Sequence, residues 1–251
     1  MPASVNNTDG FWENLRFVGL NERLLAASGG TWFAPPATLR PTPQITAEAQ
    51  SILAQFEGQE PWGWKDPRNA LTLPFWKSLL PSMKVLICVR HPAETASSLV
   101  ASTLIPRTWP FYWSVTRPDS PIRLNHQLHK HLHKRSSRFH ERVWLTARTS
   151  VSARRHRQLV HEVGLELWRI YNERILEQTS AGDRLVVHYE AMLTRPRQEL
   201  ERIVAFAGID VSSETLDEVA RVASPRMRHQ RADDASLSPE LAALYEQWLL
   251  S

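Results

Sequence analysis

Apolar positions set the first outline of the chain. In FWENLRFVGLNERLLAA, Phe11, Leu15, Val18 and Leu25 recur at roughly helical spacing, and in ITAEAQSILAQF the residues Ile45, Ala49, Ile52 and Phe56 fall on one helical face. A Pro-rich linker through Pro35, Pro36, Pro41 and Pro43 separates the two. The pattern then changes period. Lys84 to Val89, KVLICV, is a continuous apolar run of the kind a parallel strand shows when both its faces are covered. Arg90-His91-Pro92 ends it, and Pro92 with Glu94 opens a helix through roughly Leu99. Further on, Leu165, Trp168, Tyr171 and Ile175 predict an amphipathic helix, Gly182-Asp183 a turn, and Arg184 to Tyr189, RLVVHY, a second buried strand. From Pro196, the stripe Leu200, Ile203, Val204 and Ala207 predicts a helix closed by Gly208, and a last helix starts at Ser238-Pro239. Strands alternating with helices imply an α/β fold with a mostly parallel sheet.

Composition narrows the class. At 251 residues and 42% hydrophobic, the chain has enough apolar material for one cored domain, so residues 1–251 are read as a single unit. No run of eighteen apolar residues appears, and the start lacks a basic segment followed by an apolar one, so neither a membrane span nor a secretory signal is expected. The single cysteine, Cys88, rules out an internal disulfide and is expected as a small core residue. A reducing, cytoplasmic setting follows as the expectation. The net charge is +4, carried mostly by arginine, whose planar fork suits phosphate and sulfate; a GC-rich genome gives the same bias. Residues 103–160 form a basic insertion, and between Arg123 and Arg157 Glu141 is its single acid.

A strand that runs straight into a helix leaves unpaired backbone N–H groups at the sheet's carboxyl edge, where anions are attracted. Arg90 stands at such a turn and Ser98 eight residues later, a cation and a hydroxyl that together can fork a phosphate. The segment WGWKDPRNALTLPFWKSLLPSMKVLICVRHPAETASSL, read as a whole, resembles the central region of sulfotransferases that use 3′-phosphoadenosine 5′-phosphosulfate (PAPS), including tyrosylprotein and bacterial carbohydrate-type enzymes.

The resemblance implies roles residue by residue. Lys65, Arg90 and Ser98 match the family's Lys, Arg and Ser: the last two bind the 3′-phosphate, and the Lys stabilises charge on the transferring sulfuryl group. RLVVHYEAMLTRPRQELERIVAFAGI matches a later block, which puts Tyr189 near the adenine and gives Glu190 a structural role. In SPRMRHQ, Arg226 and Arg228 are the candidates for closing over the 3′-phosphate. Asp66 either orients Lys65 or takes the acceptor's proton, or else pairs with Arg68 or a backbone N–H at the following helix start; the pairing is preferred. The implied fold is that of P-loop NTPases, N-terminally incomplete, because in bacterial members a first strand and a Gly-rich loop precede the segment GFWEN…FVGLNERLLAA. Ser28-Gly29-Gly30-Thr31-Trp32 imitates that loop, but helical sequence precedes it and Pro-rich sequence follows, so Gly29 is read as a helix end.

The expected function is therefore sulfuryl transfer from PAPS, without a metal, to a hydroxyl of a glycan or other small acceptor. Two other readings stand beside it: an inactive nucleotide-binding remnant, and a basic polyanion-binding module built on the insertion. On helical spacing His126, His129 and His133 would fall on one face and suggest a metal, but Lys130, Lys134 and Arg135 around them oppose one, and no RNA-binding signature accompanies the insertion's aromatics. Neither the acceptor's identity nor an oligomeric state is written in these motifs.

Overall fold

The computed structural model describes residues 13–104, 153–223 and 237–251. Most of the basic insertion, with His126, His129 and His133, and the pair Arg226 and Arg228 lie outside the described residues.

Three helices build the N-terminal region: α1 (Leu15–Ala27), α2 (Pro43–Leu53) and α3 (Asn69–Leu79). Asn14 caps α1 by accepting from the Arg16 amide, and Thr42 caps α2 with Pro43 at its first turn. The helix α1 is where the sequence predicts it, Leu25 is buried as expected and Phe11 lies outside the described residues, but the rest of the face differs. Leu15 is exposed, while Phe17, Leu20 and Leu24 are fully buried together with Asn21. The reason is aromatic packing. Phe17 stacks on Trp64 with ring centroids 4.5 Å apart and leans on Trp76 at 5.2 Å, and Ile45, Ala49 and Ile52 close the cluster from α2.

At the end of α1 the backbone settles the status of the glycine pair. Gly29 adopts φ +82°, its N–H reaches the Ala26 carbonyl, and the Gly30 N–H reaches Leu25. These are the two bonds of a Schellman cap, so the pair ends a helix as the sequence suggests.

The sheet among the described residues has two strands, β1 (Val85–Val89) and β2 (Arg184–His188), parallel and in register from Val85 opposite Arg184 to Val89 opposite His188. Between them in the chain come α4 (Pro92–Leu104) and the long α5 (Ala153–Gln178). After β2 follow α6 (Tyr189–Thr194), α7 (Pro196–Ala207), α8 (Ser213–Val222) and α9 (Pro239–Leu249). Tyr189, predicted as the end of the strand, instead starts α6, and both α6 and α8 are additions to the predicted elements. Gly208 caps α7 at φ 74°, and Ser238 caps α9, where the sequence places them.

Helices α5 and α9 cover one face of the sheet. Trp168, Leu241 and Trp248 pack there against Ile87, Val89 and Val186. The opposite face of β1 is not covered by the described residues: Leu86 is 45% exposed and Cys88 is exposed as well. This corrects two expectations, a strand buried on both sides and a cysteine in the core. Surrounding protein still pushes the Cys88 thiol up, with the charge of Lys65 pulling the other way.

Helix α5 is the spine that joins the parts. Gly164 lets it approach α4 so closely that a Cβ there would sit 2.8 Å from the Ala96 backbone. Its Tyr171 hydroxyl donates to the Trp32 carbonyl at 2.8 Å, and Arg174 donates to Pro36 at 2.6 Å. Among the described residues no helix is long and apolar enough to cross a membrane.

Candidate functional site

The carboxyl ends of β1 and β2 lie side by side because the strands are parallel and in register, so whatever follows Val89 meets whatever follows His188. Arg90 follows the first. Its carbonyl accepts from the Trp168 indole N–H at 3.0 Å, which fixes the turn onto α5. Its guanidinium lies over the ring of Tyr189, 4.6 Å from the centroid, and donates through Nε to Glu94 at 3.1 Å. Glu94 is fully buried and Arg90 only partly so. The pairing keeps Arg90 aimed at the sheet edge while its planar group rests on an aromatic face.

His91 starts α4. Its carbonyl accepts from the Thr95 amide at 3.0 Å, and its ring Nδ1 accepts from the Ala93 amide at 3.3 Å, the work a capping side chain does. Ser98 stands one turn beyond Glu94 on α4 and is exposed. Residues four apart share a helix side, so Arg90, Glu94 and Ser98 follow one another along the same flank.

Lys65 and Asp66, adjacent in sequence, part company in space. Lys65 is 64% exposed, its Nζ is 2.5 Å from Glu13 Oε1, and its charge acts on Cys88 at the uncovered face of β1. Asp66 is turned inward. One of its oxygens accepts from the Arg68 amide at 3.0 Å and from Arg68 Nη1 at 2.8 Å, and the other accepts from Asn21 Nδ2 at 2.8 Å. Asn21 in turn accepts from the Thr72 hydroxyl and the Trp76 indole. Burial alone would lower the Arg68 pKa, but Glu22 and Asp66 together raise it, and the same charged group lies close to Tyr171, whose burial holds its hydroxyl protonated well above the usual range.

Glu13 escaped the sequence reading. Its side chain is 6% exposed and its second oxygen, Oε2, is sealed with no hydrogen-bond partner among the described residues. Only a fold that returns residue 65 to the start of the chain brings that carboxylate to Lys65. The sequence signal was the polar Glu13-Asn14 step just ahead of an apolar helix, which capping alone explains. Among the described residues no group of three His, Cys, Asp or Glu converges as a metal site.

The family model described as "Sulfotransferase domain" matches residues 66–242. The chain belongs to the sulfotransferase family. The matched span holds Arg90, Ser98 and Tyr189, with Arg226 and Arg228 also inside it, while Lys65 stands one residue before it. The two parallel strands of this sulfotransferase, each followed by a helix, agree with the α/β class implied by that membership. No curated protein and no solved structure gave a significant match.

Proposed function

We propose that this sulfotransferase transfers a sulfuryl group from PAPS to a hydroxyl of a carbohydrate or other small acceptor. The observation that carries the reading is the stack of Arg90 on Tyr189 where β1 and β2 end together. A guanidinium on an aromatic face offers one partner to a phosphate and another to a purine, and membership of the sulfotransferase family is consistent with a donor that carries both. In this reading Arg90 and Ser98 hold the 3′-phosphate, Tyr189 borders the adenine, and Arg226 and Arg228 close over the phosphate.

Lys65 stabilises the negative charge that gathers on the leaving oxygen as the sulfur–oxygen bond of the donor breaks and the bond to the acceptor oxygen forms. The acceptor's proton needs a base, and Glu13 is the group proposed for it, since its carboxylate already sits against Lys65 and keeps one oxygen unpartnered. Asp66 is proposed as a positioning residue for the chain on either side of Lys65, because both of its oxygens are occupied within the protein.

Calorimetry with adenosine 3′,5′-bisphosphate, followed by transfer of radiolabelled sulfate from PAPS to a panel of sugars and phenols, tests the proposal. Saturable nucleotide binding with label appearing in an acceptor is the expected result. Absence of nucleotide binding overturns it, and binding without transfer to any acceptor leaves a nucleotide-binding protein in its place.

A further inference from the structure

The carbonyl of Arg90 lies between two hydrogen-bonded systems. The parallel ladder of β1 ends at Val89, opposite His188, and the His91 carbonyl already serves α4 by accepting from the Thr95 amide. A backbone carbonyl at such a junction needs an answer from a side chain or from water. Here the answer comes from α5, whose Trp168 indole N–H donates to it at 3.0 Å. An indole is a donor only, so this bond runs in one sense and has no alternative arrangement.

Three features make the contact more than packing. Trp168 is buried in one core with Ile87, Val89 and Leu241, so its ring is held in place from several sides. Gly164, one turn earlier on the same flank of α5, lets that helix lie against Ala96 of α4 at a distance that no side chain allows. That close approach sets the separation across which Trp168 reaches Arg90. The pinned residue is also the one whose guanidinium lies 4.6 Å from the centre of the Tyr189 ring and donates to Glu94 at 3.1 Å. A small rotation of a peptide is magnified along a side chain as long as arginine's, so aim at the tip depends on rigidity at the root. The Arg90–His91 peptide is trans, so the bond that draws the Arg90 carbonyl onto α5 turns the His91 N–H away from it.

We propose that Trp168 is a positioning residue for the donor nucleotide. Its indole N–H holds the Arg90 peptide in the orientation from which the guanidinium meets the 3′-phosphate. The role rests on the nucleotide reading of the strand ends, and it adds a dependence of the phosphate contact on α5, a helix that supplies none of the proposed ligand-binding side chains.

The test is a double-mutant cycle on the full chain, read by calorimetry with adenosine 3′,5′-bisphosphate. Trp168→Phe keeps an apolar ring and removes the N–H. It should weaken binding about five- to tenfold, the consequence of losing one buried hydrogen bond. In an Arg90→Ala background the carbonyl remains but there is no guanidinium to aim, so the same substitution should have no further effect. Trp248→Phe is the packing control. Trp248 is buried in the same core and its indole N–H has no hydrogen-bond partner among the described residues, so its affinity should stay at the wild-type value. If Trp168→Phe does not fold, 3-benzothienylalanine at position 168, with sulfur in place of the N–H at nearly the same volume, carries the same expectations. Unchanged affinity in the Trp168 variant, an equal loss in Trp248→Phe, or an undiminished loss in the Arg90→Ala background overturns the positioning role and leaves the nucleotide site standing. A wild-type protein that does not bind the bisphosphate overturns the site and the role together.

Discussion

The α1–α3 region and the carboxyl edge of the sheet use the same residue types to opposite ends. Around Asp66 every polar group is answered from within: Arg68 has two carboxylates, Asp66 has Arg68 and Asn21, and Asn21 has Thr72 and Trp76. Around the strand ends, two side chains among the described residues keep polar atoms unanswered. Arg90 is braced by Glu94 and Tyr189, yet Glu190 and His188 keep sealed atoms unpartnered, and Ser98 faces solvent. A closed network adds stability and rigidity, whereas groups that are positioned and left incomplete are where a ligand gains from binding. Charge or burial alone does not separate the two. Satisfaction does.

The largest effect expected from this contrast is on folding. Asp66→Ala should destabilise the protein by about 3–5 kcal/mol, since it strips a buried charge partner from Arg68 and a bond from Asn21. Urea unfolding measures it. A variant of unchanged stability that loses only turnover would reverse the assignment and make Asp66 catalytic.

Next is Arg90→Ala, which should weaken binding of adenosine 3′,5′-bisphosphate by about 2–4 kcal/mol, read by calorimetry. It also takes a cation from buried Glu94, so the double variant Arg90→Ala/Glu94→Gln separates the two consequences. Stability should return in the double variant and nucleotide affinity should not. Recovery of both would mean that Arg90 only braces α4.

The sequence carried the edge well and the packing less well. KVLICV and RLVVHY read as strands, the second one residue too long, because buried parallel strands are continuous apolar runs, and Pro92 and Ser238 announced helix starts by their own chemistry. Asn21 at the centre of the N-terminal core was illegible, because a polar residue becomes a core residue only when Asp66, Thr72 and Trp76, some 45 to 55 positions away, supply its bonds. Glu13 was missed for the same reason of distance along the chain. The uncovered face of β1 was missed for a different one: an apolar run predicts a covered strand and says nothing about which elements do the covering.

Lys65 sharpens the comparison from the open side. It is exposed but pairs with the buried Glu13 carboxylate, so Lys65→Ala should lower the urea midpoint modestly, while turnover falls by about 10²-fold with nucleotide affinity preserved. Steady-state kinetics with the nucleotide Kd measured in parallel checks it. A fall in affinity as large as the fall in turnover would place Lys65 in ground-state binding instead.

The smallest effect lies at the seam between the two regions. Lys77 of α3 donates to the Gln178 carbonyl at 2.8 Å and pairs with Asp183, just ahead of β2. The hydrogen bond from Lys77 is the main reason the Asp183 carboxyl is held below its ordinary value, and the Ser180 amide adds to it. A carboxylate depressed by folding contributes stability above its unfolded pKa, near 4, and loses it as pH falls through the lower folded value. The pair is open to solvent, which screens it, so Asp183→Asn should cost only about 0.5 kcal/mol at neutral pH. Urea midpoints of the two proteins should therefore differ slightly at neutral pH and converge below the folded pKa. A gap that persists undiminished in acid would show that Asp183 ties the regions together through its turn with Ser180, not through the charge of Lys77.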